Sequence, residues 1–453
     1  MARPISSRIV RESAFRHVFG EASKECYQDI RYSTKATESA GVRGNELFVA
    51  IPWEAGGGGQ LAVIAASNYG RLSQVGLPMI KGHAGGILDF EFNPFNPTQV
   101  LTACEDTKLR LWELPREGLK DSLVTPELAI DAHSKKLTFS TFHPTANLVC
   151  ATAAFDLSIK VWNLETQGEI FATGVADQLQ SLKWSPDGKL LAYTCKDKTL
   201  NIVDPRSPGT VHVEKSHEGT KAQKVEWLSN EALLTSGFST QAERQVKMWS
   251  LANALECVNT ELIDQGSGAL YPTYDSDTKM LYLAGRGDGN VRFYEVDDST
   301  FNIFPLSAFS TSNPAKGFDF LPKRCVDVGK KEVARALKVE SSQVVPISFI
   351  CPRKADAFQS DIYPDCLSGT PSISADEWGE GGNREPVRMS LDPAQQSGDD
   401  GAKSRTSSTI VTRADLIKQL DEAKAAVAEL EAENSDFRKK LGLEPRPPTY
   451  PPE

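Results

Sequence analysis

The chain has 453 residues, 40% of them hydrophobic and 24% charged, with a formal net charge of -10. That is enough apolar material for a large buried core, and a globally acidic chain lacks the basic footprint of a general nucleic-acid binder. No apolar run reaches the length of a membrane span, and Met1-Ala2-Arg3-Pro4 lacks the apolar centre of a signal peptide.

The 8 cysteines (Cys26, Cys104, Cys150, Cys195, Cys257, Cys325, Cys351 and Cys366) form no C-x-x-C pair. Several sit in apolar strand-like runs, so reduced, buried thiols in a soluble cytoplasmic protein are expected.

In chain order, Phe15, His17 and Phe19 alternate with Arg16 and Val18, a period of two that suits a strand. Leu47–Ile51 and Leu61–Ala65 read as two further strands joined by Gly56 to Gly59. A unit then recurs: an acidic residue, and six positions on, a large or apolar residue closing an alternating strand. Asp106 precedes Trp112, Asp156 precedes Trp162, Asp197 precedes Val203, Glu243 precedes Trp249, and Asp288 precedes Tyr294. The unit repeats at 41 to 50 residues, the blade length of WD-repeat propellers.

The acidic residue belongs in a tight turn, and the alternation after it puts Leu109 with Leu111, or Ile159 with Val161, on one face. Upstream, Gly82-His83, Ala132-His133 and Ser216-His217 resemble the Gly-His element of the WD repeat, whose histidine bonds the turn aspartate. The dipeptide after each Trp is degenerate, and only Val203-Asp204 retains the Asp. Asn93-Pro94, His143-Pro144 and Ser185-Pro186-Asp187-Gly188 are turn signals between strands.

Five blades are thus visible directly. The strands before them make a degenerate first blade, and Gly317 to Cys351 a degenerate seventh. Propellers close by lending an N-terminal strand to the last blade, the role expected of the Phe15–Phe19 alternation. The fold expected is all-β: a seven-bladed WD-repeat β-propeller over 1–353, then a C-terminal extension over 354–391. A short linker over 392–409, a coiled coil over 410–442 and a Pro-rich tail over 443–453 complete the chain.

The last helix is read from heptads. Positions a are Arg413, Leu420, Val427, Asn434 and Leu441, and positions d are Leu416, Ala423, Leu430 and Phe437. Ser407 to Thr409 offer N-caps, and Gly442 with Pro445 the stop. Val at a, Leu at d and one polar Asn434 lean towards a parallel dimer. The alanines near Ala423 also allow antiparallel packing, and a lone helix lying on the propeller is a further alternative.

Ser13-Ala14-Phe15-Arg16-His17-Val18-Phe19-Gly20 and Cys26-Tyr27-Gln28-Asp29-Ile30-Arg31 closely resemble the N-terminal signature of the coronins. The likeness continues through Lys215-Ser216-His217-Glu218-Gly219 and Phe358-Gln359-Ser360-Asp361-Ile362-Tyr363-Pro364-Asp365, and covers the chain from about Ser7 to Trp378. The resemblance implies a propeller that binds the sides of actin filaments, a C-terminal extension (354–391) packed on the propeller, and a coiled coil that makes a homo-oligomer. It also implies a tail region that contacts the actin-related-protein complex of branched nucleation. The family's trimer motif has no clean copy here.

Actin is itself acidic, so a contact requires a local basic patch. Arg31 matches, by its Ile30-Arg31 context, a basic residue the family uses on the filament, and alternation with Ile30 and Tyr32 leaves it exposed. Arg8, Arg11, Arg16 and Lys24 make the surrounding segment basic and extend the expected site. Lys215, Lys221 and Lys224 are a second candidate contact or a solvated loop. The oligomer is expected through Leu416, Leu420, Ala423, Val427, Leu430, Asn434, Phe437 and Leu441.

No Gly-Lys-Ser/Thr follows Gly56–Gly59, Arg286-Gly287-Asp288 is a blade turn, and the histidines hold repeat positions. No catalytic, metal or cofactor spacing stands apart from the repeat, so an enzyme is not expected. The expected function is an actin-filament side-binder that bundles filaments and modulates branching and turnover at the cell cortex. The alternative is a general WD-repeat scaffold in membrane traffic or ubiquitin pathways.

Overall fold

Each of the five acidic turns joins the second and third strands of a four-stranded antiparallel sheet. The physical reason is local. Asp106, Asp156 and Asp197 each accept, through Oδ1, the backbone N–H two residues on, at 3.2, 3.2 and 3.0 Å. That bond holds the residue between (Thr107, Leu157 or Lys198) at a positive φ of 68°, 61° or 73°.

The computed structural model describes residues 12–396, apart from 37, 57, 74, 75, 208, 209, 253, 355 and 356. Arg8, Arg11 and every heptad position from Arg413 to Leu441 lie outside the described residues.

Seven blades result. The first is Arg43–Gly44, Phe48–Trp53, Gln60–Ala65 and Met79–Ile80. Blades 2 to 6 begin at Ile87, Leu137, Leu179, Lys224 and Leu270. Blade 7 takes Gly317–Phe320, Glu332–Val339 and Gln343–Ile350 from the end of the propeller and its outer strand from the N-terminal segment.

The closing strand differs from the expected one. Residues 14–17 form turns, and the pairing runs from Phe19↔Ile350 to Ala22↔Ile347, then Tyr27↔Val344 and Gln28↔Gln343. Phe15 and Val18 are buried against blades 6 and 7, while His17 and Phe19 are exposed. The expected period of two is therefore not found: the turn buries Phe15 and Val18, three residues apart, and leaves His17 and Phe19 outside.

The expected alternation also understates burial. Val149–Ala154 and Gln99–Cys104 are buried along their whole length because both faces of a blade pack on neighbours. Arg110, between Leu109 and Leu111, is therefore buried too, and Asp106 takes its guanidinium at 3.0 and 2.8 Å. Trp112 lies in one cluster with Phe48 and Leu61 of blade 1, and Trp249 in another with Leu200 and Ile202 of blade 4, so these residues fill the gap between blades.

Strand direction alternates, so second-to-third turns and blade-to-blade links share one face, here called the upper. First-to-second and third-to-fourth turns share the lower. After the propeller the chain crosses the lower face as a strap. Ile362, Tyr363, Cys366 and Leu391 pack on blades 6 and 7, and Ile373, Ala375 and Trp378 on blades 3 and 4. Its short helix Ala375–Gly379 is capped by Ser374, whose Oγ accepts the Glu377 N–H at 3.2 Å. Trp378 is fully buried, edge-on to His143 and Trp184, and donates its Nε1–H to the Gly188 carbonyl at 3.3 Å.

Candidate functional site

Arg31 stands on the upper face, where the outer strand of blade 7 crosses to blade 1. Asp29 turns the chain with a φ of 63°, and the Ile30 N–H then donates to the Ser342 carbonyl at 3.0 Å. The Arg31 carbonyl accepts the Glu54 N–H at 2.7 Å, and Ser33 N–H reaches the Pro52 carbonyl at 2.9 Å. Ile30 and Tyr32 are buried among Tyr27, Trp53, Val339 and Val344. The backbone is thus pinned on both sides, and period-two geometry leaves the Arg31 side chain exposed. No ion pair to Arg31 occurs among the described residues.

Lys35 lies four residues on, exposed, with its aliphatic stem over Gly86 of the neighbouring link. It lies outside the basic patch expected from the sequence. Its signal is its place in the same link, three residues after the buried Tyr32.

The structure separates the other described members of the expected patch. Arg16 lies in the turn before Phe19, at the lower end of blade 7, whereas Arg31 follows Gln28 at the upper end. Gln343–Ile350 spans the distance between them, roughly 25 Å for a strand of that length. Lys24 is exposed midway, between the two stretches of pairing. These three form a ridge along the outer edge of blade 7 rather than one cluster. Glu21 and Glu25 are exposed on the same edge, so the positive side chains alternate with negative ones.

The second candidate set also divides. Lys215 is exposed. Lys221 is exposed but donates to the Ser267 carbonyl at 2.8 Å. Lys224 is buried, with Nζ 2.6 Å from both the Glu38 carboxylate and the Gln180 carbonyl, and so plugs the upper end of the central channel. It cannot meet a partner. The exposed lysines of the upper face are instead Lys35, Lys135, Lys196, Lys215 and Lys221, spread over successive blades.

The repeat histidines are structural, but only one makes the expected aspartate bond. His133 Nδ1 lies 3.1 Å from Asp156, its Nε2 2.8 Å from Thr152 Oγ1, and Trp162 Nε1–H donates to the same hydroxyl at 2.9 Å. In blade 2 the relay Trp112–Thr102–His83 forms, yet Arg110 and the Ala84 N–H take Asp106. In blade 5, Trp249 and His217 share Thr235, and Gln245 rather than Glu243 meets the other ring nitrogen, at 3.1 Å.

Burial lowers the pKa of His83 to about 4 and of His143 and His217 to about 3, which keeps these rings neutral. The free cysteines behave alike: six are buried, and burial pushes the Cys104 thiol up to about 11. Cys257 is exposed.

Comparison with known proteins follows the same map. Residues 8–71 match a domain of unknown function, DUF1899, and 76–113 a WD domain, G-beta repeat. Residues 344–386 match a type of WD40 repeat, and 141–230 the anaphase-promoting complex subunit 4 WD40 domain. The coronin-like protein crn1 of Schizosaccharomyces pombe is 36% identical over 99% of this chain and 75% of its own length. Coronin-A of Dictyostelium discoideum is 39% identical over 85% of this chain and 86% of its own. The crystal structure of the WD40 domain of Toxoplasma gondii coronin superposes with a TM-score of 0.80 at 38% identity, covering 84% of this chain and 98% of that one. With relatives this similar over most of its length, and a propeller closed by its own N-terminal strand, the chain belongs to the coronin family.

Proposed function

We propose that this chain is an actin-binding cytoskeletal protein that engages the side of the filament through Arg31 and the ridge along blade 7. The observation that carries the reading is Arg31 itself. Its backbone is pinned between two blades and its flanking side chains are buried, while the guanidinium is exposed on a chain of the coronin family. Lys35 and Lys24 extend the contact in opposite directions. Arg8 and Arg11, just before the ridge in sequence, add positive charge to it.

The propeller works as a binding scaffold rather than an enzyme, in the cytoplasm, without a cofactor. The heptads from Arg413 to Leu441 self-associate, through Leu416, Leu420, Val427 and Leu430 among others, so that one particle carries several filament sites. Such a particle bundles filaments and bears on branched nucleation through the actin-related-protein complex.

Cosedimentation tests the reading. The full chain is expected to pellet with filamentous actin at low salt and to be released as salt rises, because surface charge contacts are screened. Arg31→Asp is expected to weaken pelleting at least tenfold with the circular dichroism spectrum unchanged. Failure of the unaltered chain to pellet at low salt, or undiminished pelleting of the variant, rejects the assignment.

A further inference from the structure

The lower mouth of the central channel opens into a cavity of about 370 Å³ between the propeller and the strap. A second cavity of about 100 Å³ lies above it and shares Arg43, Glu91, Thr273 and Asp319 with it, so the two form one passage. The passage is asymmetric in chemistry. Its rim is apolar: Pro94, Phe95, Pro386, Leu367 and Val387 border it, and the last two are 47% and 40% exposed. The charges at the rim are already paired. Arg388 meets Asp277 at 2.6 Å, Arg324 meets Glu46 at 3.2 Å, and Lys323 holds Asp275.

The interior is not balanced in this way. Asp89, Glu91 and Asp319 face the passage, and Arg43 is the cation among them, bonded to Asp319 at 2.9 Å. Lys183 is held by Glu226 at 3.1 Å and Lys224 by Glu38 at 2.6 Å. Asp89 is 4% exposed, and its Oδ1 has no hydrogen-bond partner among the described residues; nor has the neighbouring Ser140 Oγ. Burial raises the carboxyl pKa of all three acids, with the Arg43 charge pulling the other way, helped by Lys183 at Glu91 and Asp319 and by the Ser140 N–H that Asp89 Oδ2 accepts at 3.1 Å. Desolvated acids that outnumber their counter-charges, here Asp89 buried and Glu91 and Asp319 half-buried, are stabilised by any cation that reaches them.

A bare metal ion does not fit, because among the described residues no three His, Cys, Asp or Glu side chains converge to hold one. A cation on a long methylene stem does. Its stem lies along the apolar wall, and its several N–H donors span carboxylates that are too far apart to share a metal.

We propose that the lower cavity is a peptide site, taking an arginine or lysine side chain from an extended apolar segment of a partner protein, with the cationic tip at Glu91, where the lower cavity meets the one that Asp89 lines. Leu367 and Val387 then flank the peptide backbone, and the basic residue supplies the specificity.

The test pans a random dodecapeptide library on the full chain and measures the enriched peptide by fluorescence polarisation. Enriched sequences are expected to share a basic residue flanked by apolar residues or proline. Replacing that residue by norleucine should weaken binding at least tenfold. Glu91→Gln should do the same, since the amide oxygen still accepts the Phe142 N–H that Glu91 now takes at 2.8 Å. Val387→Trp, on the exposed rim, should block the mouth, and it decides the matter if Glu91→Gln does not fold. Enriched peptides without a basic residue, no enrichment, or equal binding to both folded variants overturns the proposal.

Discussion

Trp378 is the residue by which the strap holds the lower face, and Trp378→Ala measures how much that holding is worth. The side chain is fully buried, with ring centroids 4.8 Å from His143 and 5.7 Å from Trp184, and Arg206 lies 5.0 Å over its ring. Truncating a buried Trp to Ala costs about 3–5 kcal/mol in lost transfer energy and cavity formation. The lost hydrogen bond adds little, because the Gly188 carbonyl keeps the His143 Nε2 at 2.8 Å. For roughly 380 ordered residues the unfolding entropy is about 0.8 kcal/mol/K, so a 4 kcal/mol loss lowers the melting temperature by about 5 °C. The loss is capped if the strap detaches before the propeller melts. Hydrogen exchange separates the cases: early exchange of the amides of 366–389, with slow exchange retained at Val149–Ala154, reports strap release. A melting shift below about 1 °C with the strap amides still protected refutes the reasoning.

Three further outcomes are expected. His133→Ala leaves Asp156 and Thr152 without their ring partner and costs about 2–3 kcal/mol by urea denaturation, whereas His83→Ala costs less because Arg110 already holds Asp106; equal losses would show the aspartate bond to be irrelevant. Because His83, His143 and His217 titrate lower in the folded chain than their ordinary value near 6.5, the unfolded chain binds more protons as pH falls from about 6.5 towards their folded values. Their stabilisation is present above pH 6.5 and is lost on acidification; the carboxyls of Asp89, Glu91 and Asp319, raised above their ordinary values, act in the opposite sense, so Glu91→Gln should steepen the fall in melting temperature on acidification from neutral pH towards the ordinary Glu value of 4.5, and a flatter profile in the variant contradicts this. Truncation after Gly401 should give a monomer by light scattering that pellets with filaments at high speed but no longer bundles them at low speed; bundling by the monomer would put two filament sites on one propeller.

What could be read from residues alone was whatever has a local cause. An aspartate that accepts the N–H two residues on fixes a left-handed turn in blades 2 to 4, and in blades 5 and 6 Ala242 and Gly287, just before the acidic residue, take the positive φ instead, so all five blades were visible from short turns and closing residues. The exposure of Arg31 followed from alternation with Ile30 and Tyr32, both confined to one buried face by the strand period. The resemblance of the N-terminal signature supplied the family, and no periodicity could have done so.

Tertiary structure decided the rest, because it depends on which distant segments share space. Phe15 and Val18 are apolar two-faced residues, and only their packing against blades 6 and 7 makes them part of a turn and moves the closing strand to Phe19–Gln28. The ends of that strand then carry Arg16 and Arg31 apart, although sequence places them together. Lys224 reads like Lys215 and Lys221, yet Glu38, 186 residues away, draws it into the channel. The same long-range closure brings Asp89 and Glu91, two apart on the inner strand of blade 2, and Asp319 of blade 7 around Arg43 of blade 1, since three separate blades supply them.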